Sequence, residues 1–185
     1  MGGQLFVMSI QFSLIPFSPL ASPESLKIEG EICRQAGELN LVFAVHGDIS
    51  RLLLPKVSPF ASRRDGLWQS TCFECFIRDP NGQEYWEMNV SPKGDWNVYH
   101  FTDYRENMHE EDRVSCLQAS STKTDSSYLL YSRLGDIPIV SPNRPLQLGI
   151  SCILDSYTGD KSYWALHHGA AKPDFHLANS FTLAV

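Results

Sequence analysis

Two turn tetrapeptides, DPNG at Asp79–Gly82 and SPKG at Ser91–Gly94, cut the stretch from Leu67 to Phe101 into three short runs. Pro presets a turn dihedral and Gly tolerates the left-handed region, so each tetrapeptide reads as a tight reversal. The runs between them alternate side-chain character with a period of two, which a strand uses and a helix does not. The stretch therefore reads as three short strands joined by two tight turns. Three of the chain's four Trp lie in it, beside Glu74, Glu87 and Asn89.

The same punctuation continues along the chain. Leu39, Leu41, Phe43 and Val45 alternate with Asn40, Val42, Ala44 and His46, the mark of a half-buried strand. Further strands are expected over 25–34, 113–122, 126–134, 146–155, 162–167 and 179–183. Residues 48–70 form the longest irregular region and have room for a short helical turn. No twelve-residue stretch keeps a 3.6-residue period. Many short strands with Gly and Pro in the turns indicate an all-β sandwich or barrel. With no repeat, low-complexity tract or linker, residues 1–185 are expected to form one domain.

A hydrophobic content of 43% supports a real core. The formal charge of −6 and pI near 5.4 argue against a nucleic-acid partner held by a general basic field. Arg63 and Arg64, followed by Asp65, read as a solvated loop. The N-terminal run MGGQLFVMSIQFSLIPFSPLAS has no Lys or Arg and is interrupted by polar residues, so a first strand fits it better than an export signal. No run of eighteen apolar residues suggests a membrane span. Five Cys is an odd number. Cys72 and Cys75 sit three apart on a strand and point to opposite faces, which suits neither a metal clamp nor a redox disulfide. Reduced, mostly buried thiols in a cytoplasmic protein are expected.

Strand register decides which side chains meet. Four-residue loops at both turns would pair Arg78 with Gln83 and Val90 with Asp95. Glu74 would then lie opposite Glu87, Phe76 opposite Tyr85, Trp96 opposite Asn89 and Val98 opposite Glu87. One face would carry Glu74, Glu87, Asn89, Trp96 and His100. The other would bury Phe73, Ile77, Trp86, Met88, Tyr99 and Phe101. Opposed carboxylates repel by a few tenths to about 1 kcal/mol when exposed. An Arg, a cation, a proton or ligand hydroxyls would answer that repulsion, and so would a solvated face with basic neighbours. The residues alone leave both readings open.

The block W-x-x-x-C-F-E-x-F, then Y-W-E-x-N-x-S-P-x-G-x-W-x-x-Y-x-F, then Tyr104-Arg105, resembles the bacterial DOMON-like domains related to family 9 carbohydrate-binding modules. The run YWALHHGAAKPDFH (Tyr163–His176) is similar to that family's tail. The resemblance implies a two-sheet antiparallel β-sandwich, jelly-roll-like in architecture. It implies a sugar end clamped by a Trp, a Glu a few residues later, further polar groups and a second Trp. Trp68 and Glu74 match the first pair, Asn89 a further polar contact, and Trp164 the opposing ring. Family 9 modules are usually secreted appendages of glycanases. The absence of an export signal bears on the polysaccharide target and leaves the sandwich untouched.

Glu74 and Glu87 could act as general acid and base, since glycosidases need two carboxyls about 5 to 10 Å apart. His167, His168 and His176 read as structural rather than metal-binding, with His176 in a turn where an imidazole bonds to backbone. Haem, held by Met88 or Met108 with a His, is set aside because Met88 falls on the core face. Calcium is more credible, on the acidic stretch Asp103, Glu106, Glu110, Glu111 and Asp112, although such a run also suits a solvated loop. No cofactor is firmly implied. Arg105 either joins the ligand site or folds back to pair with Glu74 or Glu87. The expected function is non-catalytic binding of a small carbohydrate or polyol by Trp68, Glu74, Glu87, Asn89, Trp96, Arg105 and Trp164. The alternatives are a sugar-acting enzyme and a structural or interaction module with no ligand.

Overall fold

The computed structural model describes residues 9–18, 26–35, 37–135, 137, 139–141 and 144–185. Of the N-terminal run read as a first strand, residues 1–8 and 19–22 lie outside this set, and Ser9–Pro16 form strand β1. β2 (Lys27–Gln35) and β3 (Glu38–His46) follow as a hairpin. The irregular region carries one 3-10 turn at Leu67–Gln69. The meander is β4 (Cys72–Arg78), β5 (Tyr85–Val90) and β6 (Trp96–Phe101). Then come β7 (His109–Glu110), β8 (Leu117–Lys123), β9 (Ser127–Leu134), β10 (Gln147–Asp155), β11 (Lys161–Ala165) and β12 (Leu183–Ala184). The strand expected over 179–183 is instead a 3-10 turn at Ala178–Ser180 leading into β12.

The fold is an antiparallel β-sandwich. One sheet runs β7-β6-β5-β4-β10-β11, with β12 beside the start of β10, and the other runs β1-β2-β3-β9-β8. β1 links them, because Ile15 and Pro16 pair with Ala165 and Trp164 while residues 9–14 pair with β2. The sheets meet face to face through aromatic contacts. Phe43 and Phe73 lie 5.0 Å apart between ring centroids, and Phe73 stacks on Tyr128 at 6.0 Å. The inter-sheet core takes Ile28, Ile32 and Leu41 from one sheet and Cys75, Trp86, Met88, Val98, Ile150 and Cys152 from the other. Each such aliphatic side chain contributes about 1.5–3 kcal/mol when fully buried.

A second, smaller apolar cluster sits on the outer face of the first sheet. Phe76, Tyr85, Tyr99, Phe101 and Ile153 pack there beneath Phe175 and Phe181. This cover explains why β4 and β5 are buried almost throughout, on both faces.

The register differs from the expectation at both turns. At the first, Arg78 pairs with Tyr85, so Glu74 lies opposite Asn89 and Phe76 opposite Glu87. DPNG does turn, with Gly82 N–H donating to Asp79 O and Asn81 N–H to Asp79 Oδ1, but Gln83 and Glu84 extend the loop. This two-residue shift keeps every side chain on its face. At the second turn Val90 pairs with Trp96 rather than with Asp95. Gly94 occupies the left-handed region (φ 85°) and Ser91 N–H bonds Asp95 O, which makes an odd-length loop with a bulge. A slip of one turns all of β6 over. Trp96 and Val98 therefore enter the inter-sheet core, and Tyr99 and Phe101 move to the outer face.

Candidate ligand-binding site

Glu74, Glu87 and Asn89 share the outer face of the first sheet, as their positions on β4 and β5 dictate. The corrected register adds Asn97, Tyr99 and Phe101 to that face, opposite Asn89, Glu87 and Tyr85. β10 supplies Ser151 and Ile153, and β11 supplies Tyr163 opposite Ile153. Three loop segments rise over this floor: the 3-10 turn bearing Trp68, the turn bearing Arg105, and the stretch Pro173–His176. They enclose a cavity of about 310 Å³ whose walls include Trp68, Phe101, Tyr163 and Phe175 and whose floor includes Glu74 and Glu87.

The two carboxyls are nearly sealed from bulk water, at 2% and 5% exposure. Ser151 Oγ donates to Glu74 Oε2 at 2.8 Å, and Asn89 Nδ2 donates to Glu87 Oε1 at 2.7 Å. Among the described residues no Lys or Arg lies within ion-pair distance of either. Burial, and then the neighbouring Glu87 charge, pushes Glu74 up to about 8. Burial pushes Glu87 up to about 7 against the Asn89 bond and the Arg105 charge. Two such groups in one apolar cavity titrate as a pair, and near neutrality the pair holds protons that exposed carboxyls have lost.

Arg105 does not fold back onto the carboxyls. It sits in a left-handed turn (φ 55°), and its guanidinium donates to Asp174 Oδ1 at 3.0 Å. The Tyr104 hydroxyl donates to the other Asp174 oxygen at 2.5 Å. The Arg105 backbone N–H donates to the Tyr85 hydroxyl at 3.1 Å, and that hydroxyl lies 2.7 Å from His176 Nδ1. Burial holds the Tyr85 phenol up at about 12, so it keeps its proton at neutral pH. The other ring nitrogen of His176, Nε2, lies 3.8 Å from Glu87 Oε2. Burial, and then the Arg105 charge, lowers His176 to about 4, so the imidazole is neutral at pH 7 and the Glu87 contact is no ion pair. The expectation that His176 bonds to backbone is corrected: its Nδ1 partner is a side chain 91 positions away.

The structure brings together Trp68, Glu74, Glu87 and Arg105 at the cavity. Asn89 lies just behind them, fully buried. Trp96 and Trp164 are elsewhere. Trp96 is core, with the Arg63 guanidinium 4.5 Å above its ring, so Arg63 is no solvated loop residue either. Trp164 pairs with Cys152 and faces the core, with its indole N–H on Ser162 Oγ. His100 follows the same flip, stacking on Trp86 at 4.4 Å. Tyr163, next to Trp164 and therefore on the other face, is the ring that β11 gives to the cavity. Sequence reasoning missed Tyr163, Phe101, Phe175 and His176. The alternation within Tyr163-Trp164 was the available signal, since one of the two had to face outward. In the acidic stretch, Glu111 accepts from Trp86 Nε1 at 2.9 Å and from Arg113, and Glu110 accepts from Asn97.

No family model matches this chain, and no curated protein matches it. Among solved structures it is similar to a protein from Bacteroides uniformis ATCC 8492 described as a "putative carbohydrate-binding protein". The two are 13% identical with a TM-score of 0.65, over 95% of this chain and 84% of that one. Two structures of a family 9 carbohydrate-binding module from Caldicellulosiruptor kristjanssonii, with cellotriose and with glucose, align at TM-score 0.45 with 8% and 9% identity. They cover 78% of this chain and 67% and 69% of theirs. The first likeness shows that this fold is shared with a known protein over nearly its whole length.

Proposed function

We propose that this chain binds a small carbohydrate or related polyol, without chemistry, in the cavity above Glu74 and Glu87. One observation carries the reading: a cavity of about 310 Å³ sets aromatic rings against two buried carboxyls with which, among the described residues, no Lys or Arg makes an ion pair. Sugar C–H faces pack on aromatic rings, and sugar hydroxyls can both donate to a carboxylate and accept from a carboxylic acid. A largely pre-formed pocket with few polar groups is the usual form of such a site. Trp68 keeps part of its ring accessible and Arg105 is committed to Asp174, whereas carboxyls used only to hold the sheet would carry their own cation. The Bacteroides protein of the same fold is described as carbohydrate-binding, and the central block resembles DOMON-like domains.

The proton-holding pair also favours a second reading, a sugar-acting enzyme, because a general acid needs its proton at working pH. Glu74→Gln separates the two. A binder titrated calorimetrically against a panel of monosaccharides and disaccharides should lose about 1–3 kcal/mol of affinity. An enzyme should keep binding and lose turnover. Wild-type protein that binds no member of the panel would sink both readings.

A further inference from the structure

We infer that the ligand itself supplies the cation this cavity lacks: Glu74 and Glu87 receive a protonated amine, and the ligand class is amino sugars with a free ammonium group. The inference rests on the sugar-binding reading of the same cavity.

Each cation that could serve the carboxyls is occupied or neutral. The Arg105 guanidinium borders the cavity but is bonded to Asp174 and makes no ion pair with either carboxyl. His176 faces Glu87, yet its Nδ1 is paired with the Tyr85 hydroxyl and burial keeps the ring uncharged. A neutral hexose leaves the two carboxyls held by protons, because two buried like charges do not ionise together. An ammonium lets both ionise and makes charge-assisted hydrogen bonds to them. It has three N–H donors to share between the two carboxyls, and one further acceptor lies unmet just behind them. Asn89 donates to Glu87 and leaves its own Oδ1 buried without a partner. The rings of Trp68, Tyr163 and Phe175 add the electron-rich faces that attract a cation. A bare metal ion is a poorer fit, since among the described residues no three His, Cys, Asp or Glu side chains are grouped to hold one.

The inference carries a proton signature. Among the described residues the titratable groups around the pair are Cys72, Tyr85, Tyr99, Arg105, Cys152, Tyr163, Asp174 and His176. Tyr99 and Cys152 are raised and stay protonated. Cys72 and Tyr85 are raised and stay protonated, Arg105 stays charged and Asp174 ionised, and His176 is neutral above mildly acidic pH. Protons released on binding near neutrality therefore come from the Glu74–Glu87 pair.

Calorimetric titration of the full chain with glucosamine, glucose and N-acetylglucosamine tests this, in two buffers of different ionisation enthalpy at about pH 5.5 and about pH 7. Glucosamine should bind at least about tenfold tighter than either neutral sugar, release protons, and bind tighter at the higher pH. Glu87→Gln, close in shape to the protonated acid and checked for folding by thermal melting, should erase most of the preference. A neutral sugar that binds wild type as tightly as glucosamine overturns the inference and leaves the sugar reading standing. Preference for glucosamine that survives in folded Glu87→Gln also overturns it. Should ethanolamine bind while no sugar does, the ammonium site stands and the sugar reading falls. If none of the four probes binds, both fall.

Discussion

Trp68, Trp96 and Trp164 are chemically identical side chains with opposite fates, decided by one residue of register or one position along a strand. Trp68 leaves the sheet altogether: Gly66 in the left-handed region turns the chain into the short 3-10 segment that holds the indole over the outer face, edge-on to Tyr99 at 5.6 Å. Trp164 is 3% exposed, and its removal opens a cavity between the sheets. Trp164→Ala should therefore cost about 3–5 kcal/mol of stability, the range for a large ring lost from a core. Trp68→Ala should cost no more than about 1–2 kcal/mol, because the ring is only half-buried, while abolishing most of the ligand affinity. Urea unfolding of the two variants beside a sugar titration checks this. Equal stability losses would mean that Trp68 is a core residue in solution.

The β5–β6 hairpin shows what an element's sequence reveals and what it hides. Turns at both tetrapeptides, the helical turn before Ser70, the opposite faces of Cys72 and Cys75 and the shared face of Glu74 and Glu87 all follow from local chemistry and a period of two. A two-residue slip at the first turn is invisible to that period, because it leaves the faces unchanged. The one-residue slip at the second should have been visible, but it requires a polar face to contrast with an apolar one. In WNVYHF both faces are apolar enough to bury, and five of the six residues are buried. The decision then rests on Gly94, whose φ of 85° inserts the odd residue. A Cβ there would meet Val57 Cγ1 at 2.9 Å and Ala61 Cβ at 3.2 Å as well as the left-handed penalty. Gly94→Ala should lose about 1–3 kcal/mol, seen as a lower urea midpoint and faster amide exchange in β5 and β6. An unchanged midpoint would show that the bulge does not set the register.

At the scale of the whole molecule the site belongs to neither the meander nor the C-terminal segment alone. The strands give the acids, the segment from Pro173 gives Phe175 and His176, and the Tyr85–His176 bond spans 91 positions. No local pattern carries such a closure, which is why the acids were readable and their cover was not. The closure has a measurable electrostatic consequence. Glu74 and Glu87 are raised well above their ordinary 4.5, so between that value and about 8 the folded chain holds protons the unfolded chain has released. Stability from this pair is full below about pH 4.5 and is lost as pH rises through 7 to 8. The opposite sense holds for three partly buried groups that titrate on the acid side. Burial lowers His176 from 6.5 to about 4, so its contribution falls away as pH drops through that window. Burial opposes ionisation of Asp174 and Glu111, but hydrogen bonds from Tyr104 and Arg105, and from Arg113 and Trp86, outweigh it. Both carboxyls are lowered, Glu111 to about 2, and their contribution is lost in stronger acid. Two carboxyls outweigh one imidazole where the windows overlap. Stability should therefore peak near about pH 4 to 4.5 and decline towards pH 8. Urea unfolding across this range measures it. The double variant Glu74→Gln, Glu87→Gln should lose the alkaline decline and keep the acid one. Wild-type stability that is flat or rising from pH 5.5 to 8 would mean that the carboxyls are solvated in the free protein, with the cavity open in solution.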